Sequence, residues 1–223
     1  METKKIILKS THPEEYPDLT LECKVIPNAE IGEYIKSIPE ERKFTAYKSK
    51  PVEARPGKVG EKVTSTLKTI INGREYILSE ETSSVKERMY TEKEIREDGS
   101  IEEKTSMKPD MVITNVCSTS NEQYVTKYQK FIETYYPLTE EEQLSYSHIS
   151  RRALFMPLCD LREFAQVSEP VIIITAWGSE AVCLPGSYIV TYSAEQSDYN
   201  TVEKGAFEST YTIESTTAKK LTR

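Results

Sequence analysis

Two segments of the 223-residue chain repeat the same order of residues, and this similarity limits the folds that the chain can adopt. Segment A, PDMVITNVCSTSNEQYVTKYQKFIETY, covers Pro109 to Tyr135, and segment B, PGSYIVTYSAEQSDYNTVEKGAFESTY, covers Pro185 to Tyr211. Each begins with a proline turn, continues through two β-rich runs and closes with Phe-x-x-Thr-Tyr. We interpret the two segments as a duplication; the alternative is a chance similarity of two β-rich sequences.

The alignment of the segments depends on positions that recur in the same order. Segment B needs one extra residue before its Phe to bring the two central tyrosines together. A duplication predicts that the Phe of each segment fills the core of its own unit. The matched pairs are Pro109 with Pro185, Ile113 with Ile189, Tyr124 with Tyr199, Phe131 with Phe207, and Tyr135 with Tyr211.

Composition indicates a globular protein with a thin core, and it argues against nucleic acid and membrane as partners. Hydrophobic residues make up 37% of the chain, and the net charge is −7, so attraction to a polyanion is not expected. The longest apolar run, PVIIITAW, is far shorter than the roughly 20 residues of a membrane helix. The N-terminus lacks the apolar centre of a signal peptide. We therefore expect a cytoplasmic protein, in the host cytosol if it is viral.

The predicted fold class is α+β. We expect two small, mostly antiparallel β units related by duplication, with short helices and an N-terminal β-β-α extension. The extension covers residues 1–44, and a first unit with a charged insertion covers 45–137. A second unit that begins with a linker helix covers 138–215, and a flexible tail covers 216–223.

Local patterns predict hairpins and a capped helix within these units. Asn72-Gly73 lies between two β-rich runs and predicts a type I′ hairpin, and Asp98-Gly99 predicts a second, more exposed one. Thr139 with Glu142 three residues later predicts a capping box and a helix from about Glu140. AYKSKPVEARP predicts an edge strand because of its two prolines, and PLCDLREFAQ predicts a short helix or turn.

The chain lacks the residue patterns of catalytic, metal and phosphate sites. The two histidines are not near a nucleophile pattern, the cysteines are scattered without a C-x-x-C pair, and no G-x-x-x-x-G-K-[ST] loop occurs. We predict no catalytic residue, no metal ligand and no cofactor, and free, mostly buried thiols. The residues concerned are His12, His148, Cys23, Cys117, Cys159 and Cys183.

Segment B and the residues before it, TAWGSEAVCLPGSYIV, resemble the signature of PGDYG-type modules. Such modules occur in phage, bacterial, giant-virus and protist proteins. AYKSKPVEARP resembles the strand that opens the module, and the resemblance covers about Thr45 to Ile213. The positions that match the signature are Thr175, Gly178, Pro185, Gly186 and Tyr188.

Both segments depart from the family pattern. Segment A has Pro109-Asp110 where the family has Pro-Gly and Val112 where it has Tyr, and segment B has Ser187 where it has Asp. If the family's Gly and Asp form a ligand turn, segment A has lost it; if they only form a tight turn, both segments retain one. The family has no established activity, so the resemblance implies a fold and no chemistry.

The asymmetry between the segments places the candidate ligand-binding site in segment B and the hairpin before it. Glycine allows a partner to approach the backbone closely, and Tyr and Trp offer rigid, amphipathic contact area. The alternative is a folding role for the same residues, with the Trp covering a sheet edge and the Lys serving solubility. The candidate residues are Trp177, Gly178, Pro185, Gly186, Tyr188 and Lys204.

Three classes of function remain after this reasoning. The first is a non-enzymatic intracellular binding module, viral or phage-encoded in one interpretation, that acts on a host protein. The second is a module that sequesters a small anionic metabolite or nucleotide. The third is a divergent hydrolase. The sequence specifies neither the partner nor the oligomeric state.

Overall fold

The structure is a computed structural model that describes residues 2–96, 100–118, 120–150, 152–193 and 197–214. It consists mostly of antiparallel β-strands, joined by a few short helices. The strands of the N-terminal half are β1 (Thr3–Ser10), β2 (Leu19–Ile26), β3 (Lys43–Lys48), β4 (Val52–Pro56), β5 (Lys62–Ile71), β6 (Arg74–Ser84), β7 (Glu87–Ile95), β8 (Ile101–Pro109) and β9 (Met111–Thr114).

The C-terminal half also consists mainly of β-strands. Its strands are β10 (Gln123–Thr126), β11 (Tyr135–Pro137), β12 (Leu154–Pro157), β13 (Arg162–Gln166), β14 (Val171–Ile174), β15 (Glu180–Cys183), β16 (Tyr188–Ser193), β17 (Asp198–Val202) and β18 (Tyr211–Ile213). The helices in the described residues are α1 (Asn28–Ser37), α2 (Tyr128–Thr134), α3 (Glu140–Ser145) and α4 (Lys204–Thr210), with a 3-10 turn at Glu40–Arg42.

The chain forms two compact units, and each is discontinuous in sequence. Unit 1 consists of the described residues within Met1–Lys50, Leu67–Leu78 and Cys159–Arg223. Unit 2 consists of the described residues within Pro51–Thr66 and Ser79–Leu158. These bounds differ from the predicted boundaries near residues 44 and 137, and the predicted tail, residues 216–223, lies outside the described residues. The difference arises because strands that are distant in sequence pair with one another, which local patterns do not specify.

Unit 1 contains a six-stranded sheet in the order β15-β14-β2-β1-β6-β5. The pairing of β14 with β2 is parallel, which joins the predicted N-terminal extension to the PVIII run. Helix α1 packs against this sheet through Ile31, which is fully buried together with Val171 and Ile173. The extension is thus a structural part of unit 1.

Unit 1 also contains a five-stranded antiparallel sheet in the order β17-β16-β13-β3-β18. Helix α4 contributes Phe207 to an aromatic core on one face of this sheet, where Phe164 and Tyr188 are also buried. The face is completed by Ala46 of β3, which is 0% exposed.

Unit 2 contains a second five-stranded antiparallel sheet, in the order β10-β9-β4-β12-β11. Helix α2 contributes Phe131 to its core, where Ile113 and Val52 are fully buried. Strands β7 and β8 form a separate two-stranded ribbon, paired from Glu87 with Pro109 to Ile95 with Ile101.

Two local predictions about strands were wrong. AYKSKPVEARP forms two interior strands, β3 and β4, because Pro51 lies in the connection between them and Pro56 ends β4, where a missing N–H is tolerated. Residues 162–166 form strand β13 instead of a helix or turn, because Phe164 and Ala165 are buried in sheet positions between β3 and β16.

Other local predictions were confirmed. Asn72 and Gly73 both have positive φ, at 51° and 74°, as a type I′ hairpin requires. Thr139 and Glu142 form the reciprocal capping box at the start of α3. The β7–β8 ribbon confirms the second hairpin, although Asp98 and Gly99 themselves lie outside the described residues.

Candidate functional site

Four of the six candidate residues lie on two turns at opposite ends of strand β15, while Tyr188 begins β16 and Lys204 begins α4. Trp177 and Gly178 lie in the turn before β15, and Pro185 and Gly186 lie in the turn after it. At about 3.3 Å per residue, the four residues of β15 separate the turns by roughly 13 Å. The structure therefore does not bring all six candidates into one site.

The turn that carries Trp177 is fixed by hydrogen bonds between its two ends. The Thr175 N–H donates to the Ser179 carbonyl at 2.9 Å, and the Thr175 hydroxyl donates to the same carbonyl at 3.0 Å. In return, the Ser179 N–H donates to the Thr175 hydroxyl oxygen at 3.1 Å. The Gly178 N–H donates to the Thr175 carbonyl at 2.9 Å, with Gly178 at φ +84°. The backbone beneath Trp177 is consequently well ordered.

The side chain of Trp177 is only partly covered by the rest of the protein. Its surface is 60% exposed, whereas Thr175, two residues earlier, is 3% exposed. The exposed indole offers apolar contact area together with an N–H donor on this turn.

The Pro185-Gly186 turn has a structural role. The Ser187 N–H donates to the Leu184 carbonyl at 2.9 Å, and Gly186 has φ +86°, as expected for a type II turn with proline at its second position. The Ser187 hydroxyl accepts a hydrogen bond from the Lys204 N–H at 3.1 Å. The turn is thereby joined to the first residue of α4.

Tyr188 belongs to the core of unit 1. It is 6% exposed, its ring centroid lies 4.2 Å from that of Phe207, and its hydroxyl accepts from the Gln166 amide at 3.3 Å. Burial, together with the nearby carboxylate of Glu208, raises the pKa of the Tyr188 phenol. The ring is not available as contact area for a partner.

Lys204 has an exposed side chain beside an acidic neighbour. Its ammonium lies 3.8 Å from a carboxylate oxygen of Glu208, one turn further along α4. The residue before it, Glu203, is 8% exposed and accepts hydrogen bonds from the Ala206 N–H and the Thr69 hydroxyl. The Glu208 carboxylate beside the Lys204 ammonium weakens its attraction for an anionic ligand.

A depression that sequence reasoning missed lies beside α3 in unit 2. Its cavity volume is about 390 Å³. The signals in the sequence that could have located it are the capping box that starts α3 and the apolar Leu144 in an otherwise polar helix. Its lining residues are Leu138, Glu140, Gln143, Leu144, Ser147 and Ser150.

The polar end of this depression has a hydroxyl, a carboxylate and a guanidinium in series. The Ser150 hydroxyl donates to one carboxylate oxygen of Glu53, and Arg152 donates to the other at 3.3 Å. A serine nucleophile of the triad type needs a histidine or similar base that accepts its proton. Both histidines of the chain, His12 and His148, are exposed. The arrangement supports an anchoring role for Ser150.

A second polar cluster lies in the turn between β9 and β10. Burial alone raises the pKa of the Glu122 carboxyl, but hydrogen bonds from Ser120, Ser118 and Asn115 offset this and hold the pKa below 4.5. The carboxyl is therefore ionised at neutral pH and does not act as a general acid.

The same cluster predicts a loss of stability in acid. Because the folded pKa of Glu122 lies below its unfolded value, the stability that it contributes is present above about pH 4.5 and is lost as the pH falls through the folded pKa. Urea denaturation of the wild type and of Glu122→Gln at about pH 7 and about pH 3 should show a smaller loss in the variant. Equal losses in both proteins would contradict this assignment.

The described cysteines form no disulfide, and two of them, Cys23 and Cys183, are buried. Among the described residues, no group of three or more His, Cys, Asp or Glu side chains is arranged to hold a metal ion. None of the helices in the described ranges has the length and apolarity needed to cross a membrane. No family model, no curated protein and no solved structure matches the chain.

Proposed function

We propose that this chain is a non-enzymatic intracellular binding module that recognises a protein partner through the turn carrying Trp177. The observation that carries the proposal is a tryptophan that is 60% exposed on a backbone turn closed by hydrogen bonds. A rigid aromatic side chain loses little conformational entropy on binding, and such residues dominate the energetics of protein interfaces.

The shape of the turn favours a protein over a small molecule. Small ligands bind in concave sites that cover most of their surface. Trp177 instead lies at the end of the β14–β15 hairpin, and a Cβ added to Gly178 would have no atom within 4 Å. A projecting side chain of this kind fits into a pocket of a larger partner.

We also infer that segments A and B descend from a duplication. Three features support this: the two five-stranded sheets have equivalent strand orders, Phe131 and Phe207 each stack on the tyrosine four residues later, and a Glu–Thr pair recurs in register. The pairs are Glu53 with Thr114 and Glu163 with Thr191.

The registers change the sequence alignment by one residue in the first strand. Ile113 is paired with Ala54 and Val190 with Phe164, and both lie on the face that packs against the helix. Ile189 lies in a different core cluster, with Ile31 and Val171. Ile113 is therefore equivalent to Val190, and the aligned pair Ile113–Ile189 is replaced. The aligned pair Tyr124–Tyr199 is not retained either, because Tyr124 pairs with Ile113 whereas Val190 pairs with Asn200.

The duplication explains where the binding elements lie. In each copy, hairpins are inserted between two equivalent neighbouring strands of the sheet: β5 to β8 between β4 and β9, and β14 with β15 between β13 and β16. Insertions on a conserved scaffold are where proteins usually place recognition surfaces. Trp177 lies at the tip of the insertion in the second copy.

The change Trp177→Ala should strongly weaken the affinity for the partner while leaving the fold intact. Affinity capture from a lysate, followed by titration of the captured protein, should show a loss of about 30-fold or more, which corresponds to about 2 kcal/mol for a central anchor. The matched control is Ile70→Ala, since Ile70 is 69% exposed and also lies in unit 1.

Two results would contradict this function. One is a captured protein whose affinity is unchanged by Trp177→Ala. The other is a rise in melting temperature with a nucleotide or anionic metabolite that is lost in Lys204→Ala, which would favour the sequestration function instead.

A further inference from the structure

The two-stranded β7–β8 ribbon leaves a long row of backbone groups without a strand partner. Within the described residues, β7 pairs only with β8, over nine residue pairs. The ribbon also exposes apolar side chains, because Met89 and Met107 lie directly opposite each other and are 75% and 54% exposed. One face of the ribbon contacts α2, where the Tyr90 ring meets Tyr128 edge-on at 4.9 Å, but the backbone edge of β7 stays open, and an open strand edge is a site for further pairing.

The hydrogen bonds at the two ends of the ribbon show which residues of β7 face the open edge. The Asp110 N–H donates to the Lys86 carbonyl at 2.8 Å, and the Arg96 N–H donates to the Ser100 carbonyl at 2.9 Å. Hydrogen-bonded pairs alternate along an antiparallel ladder, so the even-numbered residues of β7 bond to β8. The odd-numbered residues direct their N–H and C=O groups outward: Glu87, Met89, Thr91 and Lys93.

The charges on β7 fit a second copy of the same strand. A two-fold axis at Tyr90 pairs outward-facing residues with one another, as an antiparallel ladder requires. In this register Glu87 lies opposite Lys93 of the second copy, and Arg88 lies opposite Glu92. Symmetry produces each oppositely charged pair twice, which gives complementarity along the whole contact.

The other strand offers a poorer match. Self-pairing of the β8 edge about Thr105 places Glu102 opposite Lys108 as its one oppositely charged pair, and Pro109 ends that strand without an N–H. Moving the two-fold axis along β7 to Glu92 sets that residue against itself and Arg88 against Arg96. Charge complementarity thus selects the β7 edge in the register centred on Tyr90.

We propose that the chain forms a homodimer by antiparallel pairing of β7 with β7 of a second copy. The two ribbons then make a four-stranded sheet, ordered β8-β7-β7-β8, with the exposed methionines of both copies on one face. This surface is separate from the Trp177 turn and goes beyond the binding function proposed above, so failure of either proposal leaves the other standing.

Charge exchange at one pair tests the register directly. Lys93 lies opposite Glu103 within the ribbon and forms an ion pair with it at 3.1 Å, so Lys93→Glu is always combined with Glu103→Lys to keep that pair. Glu87→Lys and, separately, Lys93→Glu/Glu103→Lys should each weaken dimerisation by about tenfold or more, because each creates two like-charged contacts across the axis. Combining all three changes restores opposite charges across the axis and should return the dimer constant to within about threefold of wild type. Lys62→Glu is the control, since it makes the same charge change at an exposed residue outside the ribbon and outside α2, whose Tyr128 contacts Tyr90.

Sedimentation equilibrium gives the dimer constants, and thermal melting checks that each variant remains folded. A charge-independent variant, Thr91→Pro, removes an outward N–H and leaves the backbone hydrogen bonds between β7 and β8 in place, losing only the 3.3 Å bond between the Thr91 and Thr105 hydroxyls. It should also be monomeric. A wild type that is monomeric at about 100 µM would overturn the proposal. Normal dimerisation of Glu87→Lys or of Lys93→Glu/Glu103→Lys would also overturn it. So would a combined variant, Glu87→Lys/Lys93→Glu/Glu103→Lys, that dimerises as weakly as these two.

Discussion

Replacing Phe207 with Ala should lower the free energy of unfolding of unit 1 by about 3–5 kcal/mol. Phe207 is 4% exposed, and its ring lies at the centre of the aromatic core on the five-stranded sheet. Ring centroids lie 4.2 Å away for Tyr188, 5.1 Å for Phe164 and 5.1 Å for Tyr211. Rigid aromatic neighbours cannot collapse into the space left by the ring, so the cavity persists.

Urea denaturation followed by far-ultraviolet circular dichroism measures this loss, with each unit fitted separately if two transitions appear. Ile213→Ala is the control, because Ile213 is 52% exposed and its truncation should change stability by less than about 0.5 kcal/mol. A loss below about 1 kcal/mol for Phe207→Ala would mean that the aromatic core does not hold unit 1 together.

The proposed duplication extends the same expectation to unit 2. Phe131 is 5% exposed, stacks on Tyr135 at 5.5 Å and meets Phe155 edge-on at 5.0 Å. Phe131→Ala should therefore destabilise unit 2 by a similar amount. A large effect in one unit with a negligible effect in the other would separate the roles of the two segments and weaken the case for duplication.

Features with a local cause were predictable from the sequence. The Asn72-Gly73 turn needs two residues that tolerate positive φ, and the Thr139–Glu142 capping box satisfies backbone groups within four residues. Helix α1 ends at Ser37, two residues before Pro39, because proline restricts the residue that precedes it. In each case the chemistry that fixes the structure lies within a few residues of the motif.

Strand pairing was not predictable because its energy comes from residues that are distant in the sequence. Strand β3 pairs with β13, more than a hundred residues later, and the register sets Phe44 against Phe164. Nothing in KFTAYK or LREFAQ specifies that partner. The position of a strand within a sheet depends on such pairings, which explains why β4 was expected at an edge and lies in the interior.

The candidate site was predicted in part, for a related reason. The glycine that follows Trp177 in the sequence indicates a backbone bend, and Gly178 has the positive φ that such a bend requires. Tyr188 was selected for its amphipathic ring, yet which face of β16 meets α4 is decided by packing against Phe207. A tyrosine at a strand start has the same sequence signature whether it faces a helix or water.

Introducing one methyl group at Gly57 should lower the free energy of unfolding by about 3 kcal/mol, at the upper end of the range for overpacked cores. A Cβ at this position would lie 2.6 Å and 2.8 Å from the two methyl carbons of Val85, and 3.1 Å from the backbone oxygen of Asp110. The Gly57 N–H donates to that same oxygen at 3.0 Å, so the backbone cannot move away without losing the bond.

Val85 is held equally firmly from its own side. Its N–H donates to the Glu61 carbonyl at 2.8 Å, its carbonyl accepts from the Gly60 N–H at 2.9 Å, and its side chain is 2% exposed. The clash in Gly57→Ala therefore falls on the Val85 methyl groups, and removing them should relieve it.

The double variant Gly57→Ala/Val85→Ala should be no less stable than Val85→Ala alone, because the new methyl group occupies space that the valine has left. Denaturation of the four proteins completes the double-mutant cycle. Strictly additive losses would show that the methyl group at Gly57 disturbs the Asp110 backbone, with Val85 uninvolved.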